Sequence, residues 1–123
     1  MPTSYTIEPS LQCVKVTLSG DTTYHEIISV LHAFTDDPSY SETFNILFDV
    51  RKITQYLSFA ETQALFEHYN ATMNNRVNGK IGVIITQPVQ YGITRIASTI
   101  FGLNGIAVDA FYSEEEAMRW FRQ

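Results

Sequence analysis

Cysteine is nearly absent. The chain has one, Cys13, so no intrachain disulfide can form and no thiolate zinc cluster can be built. Positive charge is also scarce, with eight Lys and Arg against thirteen Asp and Glu and a formal net charge of −5. The basic residues are scattered at Lys15, Arg51, Lys52, Arg76, Lys80, Arg95, Arg119 and Arg122. Nucleic acids and anionic membranes reward clustered Lys and Arg, so neither is an expected partner. No apolar run approaches the ~20 residues of a membrane span. The opening "MPTSYTIEPS" has neither the basic nor the apolar region of a signal peptide. The expected location is the cytoplasm.

What is present points to a compact fold. Apolar residues make up 45% and charged residues 17% of 123 residues, which suits one domain over 1–123 with a real core. "LQCVKVTLSG" alternates, Val14, Val16 and Leu18 against Cys13, Lys15 and Thr17, and predicts a half-buried strand ending at Gly20. "YTIEP" before it reads as a short edge strand, because Pro9 removes a ladder donor. "TYHEIISVLHAF" has helical spacing, with Tyr24, Ile27, Ile28, Leu31 and Phe34 on one stripe.

"NILFDV" predicts a buried strand, followed by a helix from Ser58 that turns Leu65, Phe66, Tyr69 and Met73 inward. "KIGVIIT" is the next strand. Pro88 opens a third helix, whose expected core stripe is Ile93, Ile96, Ala97 and Ile100 and whose stop is Gly102, Asn104 and Gly105. "IAVDAFY" is the last strand and "SEEEAMRWFRQ" the last helix, packing Ala117, Trp120 and Phe121.

The order β-β-α-β-α-β-α-β-α predicts an α/β fold, with a mostly parallel sheet of four or five strands and four helices. The strand parities are unequal. Val14, Val16, Ile46, Phe48, Ile81, Val83, Ile85, Ile106 and Val108 make one apolar side, while Lys15, Thr17, Asp49, Gly82, Thr86 and Asp109 fall opposite. A sheet covered on both faces is apolar on both parities. The helices are therefore expected mainly on one face, leaving the other thinly covered and open to a partner.

This layout resembles the STAS domain family, typified by bacterial anti-sigma-factor antagonists, and most of all its branch of small antagonist-like proteins. The resemblance lies in "GKIGVIITQPVQYGITRIASTIFG", "VDAFYSEEEAMRWF" and "ILFDVRKI", a strand before a Tyr-Gly helix and a closing helix with Glu-Glu-Ala and Trp. It implies a STAS-like single domain related in fold to CRAL-TRIO lipid carriers, acting as a non-catalytic regulatory or protein-interaction module. In phosphorylated relatives an Asp-Ser-(Ser/Thr)-Gly motif opens the second helix, and by spacing Ser58 falls on the acceptor. Leu57, Phe59 and Ala60 depart from that motif.

Ser58 has a simpler explanation. Ser58-Phe-Ala-Glu61 is a capping box, repeated as Thr23…Glu26 and Ser113…Glu116 at two other helix starts. Phosphorylation of Ser58 is not expected, since Glu61 would oppose a doubly negative group. No nucleophile elbow surrounds Ser58, and no catalytic residue is assigned.

His25 and His32 lie seven residues apart on one helix, about 10 Å along its axis, too far to share a metal. They read as its solvated face, and His68 reads as a packing residue. No metal or cofactor is expected.

One constellation keeps a functional reading. Ligands of open α/β sheets bind beyond the carboxyl ends of the strands. There stand Asp49, Arg51, Tyr56, Gln87 and Tyr91, with Arg95 one turn further on. As a site these suit a small apolar or lipid-like ligand. Tyr56, Tyr91, Phe101 and Phe111 would form its wall, and Arg51 or Arg95 would anchor an acidic head group. Abundant tyrosine and a surface ion pair at Arg95 account for the same residues without a ligand. Because a chain this short needs its apolar side chains for its own core, any pocket is expected to be small, shallow and near the strand ends. A protein partner, or self-association through the open sheet face, is the other interaction compatible with this sequence.

Overall fold

The computed structural model describes residues 3–73, 75–102 and 105–123, without the side chains of Phe59, Ala97, Ile100 and Phe101. The elements follow the expected order. β1 (Thr3–Glu8) and β2 (Cys13–Gly20) are followed by α1 (Tyr24–Thr35), β3 (Asn45–Ile53) and α2 (Phe59–His68). A π-helical turn, Tyr69–Met73, extends α2. Then come β4 (Ile81–Ile84), α3 (Pro88–Gly102), β5 (Val108–Phe111) and α4 (Glu114–Phe121).

The sheet has five strands in the order β1-β2-β3-β4-β5. β1 pairs with β2 antiparallel, and the other pairings are parallel. Strands β2 to β5 thus step across the sheet in one direction. Right-handed crossovers then put every connecting helix on the same face. The main core is built there. Val14, Val16 and Leu18 of β2, Ile46 of β3, Ile81 of β4 and Val108 of β5 meet Ile27, Val30, Leu31 and Phe34 of α1, with Phe66, Tyr69 and Met73 behind them. Leu65 packs against this core as expected.

α4 follows the last strand and has no crossover to make. It crosses to the opposite face, where Ala117, Met118 and Phe121 pack on Cys13, Leu47, Ile84 and Phe111. The face expected to be thinly covered therefore carries one helix over its centre. Gly82 makes room for it, because a Cβ there would press on the Phe121 ring. Lys15 ties the arrangement at one rim, 3.2 Å from Glu114 and 3.5 Å from Glu8. Lys80 ties it at the other, donating to the carbonyls of Trp120 and Gln123.

α3 corrects the expected core stripe. Ile93 and Ile96 are exposed, and the buried residues on this helix are Gln90 and Thr94, at 4% and 5%. Ala97 and Ile100, the rest of that stripe, lie outside the described side chains, and Asn104 lies outside the described residues. The reason is a hydrogen-bonded bracket. Gln90 Oε1 accepts from the backbone N–H groups of Thr86 (2.8 Å) and Gln87 (3.0 Å), and its Nε2 donates to the Val50 carbonyl (3.0 Å). β3–β4 pairing stops at Asp49 and Ile84, so Gln90 satisfies backbone groups just beyond the end of the ladder. Thr94 Oγ1 donates to the Gln90 carbonyl one turn back. With these side chains inside, Ile93 and Ile96 are left facing out.

Candidate functional site

The outward roll of α3 leaves space beneath it. An apolar cavity of about 220 Å³ lies between the main sheet face and helices α1, α2 and α3. Phe48, Val50 and Val83 form part of its floor. Leu31 and Phe34 stand on the α1 side, and Leu65 and Phe66 on the α2 side. Tyr56 and Ile93, both exposed, sit at its rim. The cavity is small beside the ~300–1,000 Å³ usual for ligand pockets, and it reaches inward from the strand ends to core side chains such as Ile46, Ile81 and Val108. Where the sequence pattern predicts aliphatic side chains of α3 in the interior, the buried residues at the described positions are Gln90 and Thr94.

The sheet separates the residues grouped from the sequence. Tyr56 lines the cavity. Asp49 and Arg51 point to the α4 face, sharing parity with Leu47. There Arg51 grips Asp49 with two side-chain bonds, Nε to Oδ1 at 3.0 Å and Nη2 to Oδ2 at 2.8 Å. The guanidinium holds the Asp49 carboxyl below the usual carboxylate range. Gln87 is exposed at the start of α3 and lends its N–H to Gln90, while Tyr91 and Arg95 are exposed further along that helix. Phe111 lies on the α4 face against Trp120, with ring centroids 5.3 Å apart. The Phe101 side chain is outside those described. Gln90 and Thr94, the polar side chains that α3 adds to the cavity wall, are not singled out by the sequence. The signal was there: spaced four apart, they share one face of α3.

Buried thiol and phenol groups are not poised for chemistry. Burial pushes the Cys13 thiol up to about 11, which keeps it protonated and unreactive. Burial likewise pushes the Tyr69 phenol up to about 12, and its hydroxyl donates to the Val77 carbonyl. Among the described residues no three His, Cys, Asp or Glu side chains gather as a metal-binding group. A pair of histidines does meet, however. His32 on α1 and His68 on α2 bring their Nε2 atoms to 3.1 Å. Spacing along either helix gives no hint of this, since the two residues are 36 positions apart.

Ser58 is a cap. Its Oγ accepts from Glu61 N–H at 3.1 Å, and Glu61 Oε1 accepts from Ser58 N–H at 3.0 Å. Thr23 and Glu26 make the same reciprocal pair. Ser113 makes half of it, accepting from Glu116 N–H while its hydroxyl donates to the Glu116 carboxylate. The Ser58 N–H lowers the Glu61 carboxyl pKa. The box is therefore whole above the ordinary Glu value of ~4.3 and fails as acid protonates the carboxylate below it. Ser58→Ala is expected to cost about 1 kcal/mol in urea unfolding, and Ser58→Asp, an equally good cap, only a fraction of that. Equal losses in the two variants would count against the capping role.

Neither a protein-family model nor a curated protein matches the chain. A solved structure does. An uncharacterised protein of the DUF3478 family from Shewanella loihica PV-4, with a SpoIIAA-like fold, superposes with a TM-score of 0.68. The match covers 97% of this chain and 93% of that one, at 15% identity. This chain has the SpoIIAA-like fold. At that identity the likeness is one of architecture: the STAS-like arrangement of a mostly parallel sheet with its helices mainly on one side. Among the described residues, no helix is long and apolar enough to cross a membrane.

Proposed function

We propose that the protein is a non-catalytic, STAS-like regulatory module that takes a small apolar molecule in the cavity beneath α2 and α3. The observation that carries this reading is the cavity itself, since a fold hosts many functions and a site must decide among them. At about 220 Å³ it exceeds the ~150 Å³ apolar cavity that stays dry and binds benzene. An unfilled void forfeits dispersion contacts at each lining side chain. A ligand restores them and gains about 0.8 kcal/mol for each methylene it buries. The volume suits a substituted aromatic ring, a short isoprenoid or the end of an acyl chain. The amide of Gln90 and the hydroxyl of Thr94 are already engaged within the protein, so selection rests on shape.

A panel of fatty acids, isoprenoids and aromatic compounds tests the reading through the melting temperature. A ligand at a hundred times its Kd adds roughly 2.7 kcal/mol. Val83→Phe, which projects a ring from the cavity floor, should fold and abolish the shift. If no compound shifts the melting temperature, and organic extracts of the purified protein contain no lipid, the cavity is not a binding site.

The regulatory half of the proposal rests on α3. Val89, Ile93 and Ile96 are spaced as one helical stripe and stand 52%, 37% and 55% exposed beside the cavity rim. Such a stripe is a surface for a protein partner. Native mass spectrometry reads ligand and oligomeric state together. Ser58 belongs to the helix cap in this proposal, and incubation with serine kinases of the host should leave it unmodified.

A further inference from the structure

α1 and α2 lie side by side on the main face, and polar pairs line their seam. Just past one end Arg76, in the turn after the π-helical segment, donates from Nη1 to the carboxylate of Asp36, the α1 C-cap, at 2.9 Å. At the other, His25 is close enough to Glu61 to help hold its carboxylate ionised. Between them stand His32 and His68. Their rings meet edge to face, with centroids 5.2 Å apart and planes at 75°, and their Nε2 atoms are 3.1 Å apart.

We infer that His32 and His68 form a two-imidazole site for a divalent transition metal ion of the zinc, nickel and copper(II) class. Geometry is the first argument. Imidazole nitrogens bind zinc at ~2.0–2.1 Å, so two of them stand about 3.3–3.4 Å apart at a tetrahedral angle and about 2.9 Å apart at a right angle. The observed 3.1 Å falls between. The two Nε2 atoms face each other at hydrogen-bond distance, and a small rotation of the rings turns both lone pairs onto an ion seated between them in place of the bridging proton. Chemistry is the second argument, because neutral imidazole suits zinc, copper and nickel alike. Access is the third. Both histidines are partly exposed, which leaves the remaining coordination positions to water, and the chain as a whole carries a net negative charge. Asp36, one turn beyond His32, is held by Arg76 and is not counted as a ligand.

A bound ion joins α1 to α2, two helices that share no covalent neighbour. The site uses none of the residues that line the apolar cavity, although α1 and α2 serve both.

Isothermal titration of tag-free protein with zinc and with nickel salts tests the inference. One ion per chain should bind. His32→Gln and His68→Gln keep a polar end in each place but supply no imidazole, and each should weaken binding by more than about tenfold. His25→Gln, on the same helix as His32, should leave it unchanged. Binding should weaken on acidification, because the imidazoles must lose their protons first. Cobalt(II) provides a second readout: its visible bands should appear with the wild type and vanish with either Gln variant at the seam. Circular dichroism of the metal-free variants checks that they fold. Absence of binding at millimolar ion overturns the inference and leaves an N–H···N hydrogen bond in its place. Binding that survives in either His32→Gln or His68→Gln also overturns it, by placing the ion elsewhere.

Discussion

Truncating Phe34 to alanine is expected to cost about 3–5 kcal/mol, the upper range for a buried aromatic. The ring is fully buried near the end of α1. It packs at a tilt on Tyr5 of β1, with centroids 6.2 Å apart, and edge-on against Tyr40, at 5.4 Å. Three segments thus share this one side chain: the edge strand, the first helix and the loop before β3. Phe34 also lines the cavity. Space vacated by its ring would join an existing void instead of being filled by collapse of a close-packed wall. The cavity part of the cost should therefore be paid in full. The loss corresponds to a fall in Tm of roughly 10–20 °C in a chain of this size, measurable by calorimetry. The enlarged cavity should then accept benzene or toluene, and either should raise the melting temperature of Phe34→Ala more than that of the wild type. A variant melting within about 3 °C of wild type, less than the effect of 1 kcal/mol, would mean that the ring is not packed as described.

The local rules of the chain were legible in its sequence because they are enforced locally. The Ser58 and Thr23 boxes depend on residues three apart. Pro88 and Gly102 bound α3 where their backbone chemistry says they should. The unequal strand parities announced a sheet with most helices on one side, and three of the four helices do lie there. Parity also placed Asp49 and Arg51 opposite Phe48 and Val50. A site combining Arg51 with Tyr56 was thus in conflict with that alternation, since Tyr56 lines the main-face cavity and Arg51 points to the α4 face.

What could not be read required knowledge of distant partners. The aliphatic stripe of α3 is strongly periodic, and periodicity identifies a face without saying which way it turns. The direction is set by the Val50 carbonyl, 40 residues before Gln90. The cavity follows from that choice and was invisible for the same reason. The histidine pair likewise joins helices that a strand-pairing argument puts side by side only after the sheet order is known. Each of these features is a case of tertiary contact overriding local pattern.

Replacing Gln90 with leucine isolates the decisive contact. The bracket satisfies two backbone N–H groups and one carbonyl at a place where the β3–β4 ladder has ended. Leucine keeps the volume and removes all three bonds. A buried polar group left without a partner costs about 1–3 kcal/mol. Water reaches Thr86 and Gln87 in part, as both residues are exposed, so the total expected is roughly 2–5 kcal/mol by chemical denaturation. Gln90→Glu should cost less. Its carboxylate still accepts from Thr86 and Gln87, at the start of a helix where negative charge is favoured, which offsets in part the lost donor to Val50 and the oxygen that then faces its carbonyl. Hydrogen exchange should show the Thr86 and Gln87 amides losing protection in the leucine variant and keeping it in the glutamate one. The leucine variant also changes the balance that sets the roll of α3. Without the bracket, turning Ile93 inward gains apolar burial and leaves no side-chain amide unpaired. Ile93 would then occupy part of the cavity, and any melting shift given by an apolar ligand should shrink with it. A Gln90→Leu protein as stable as wild type, with both amides still protected, would show that something other than this side chain holds α3 in place.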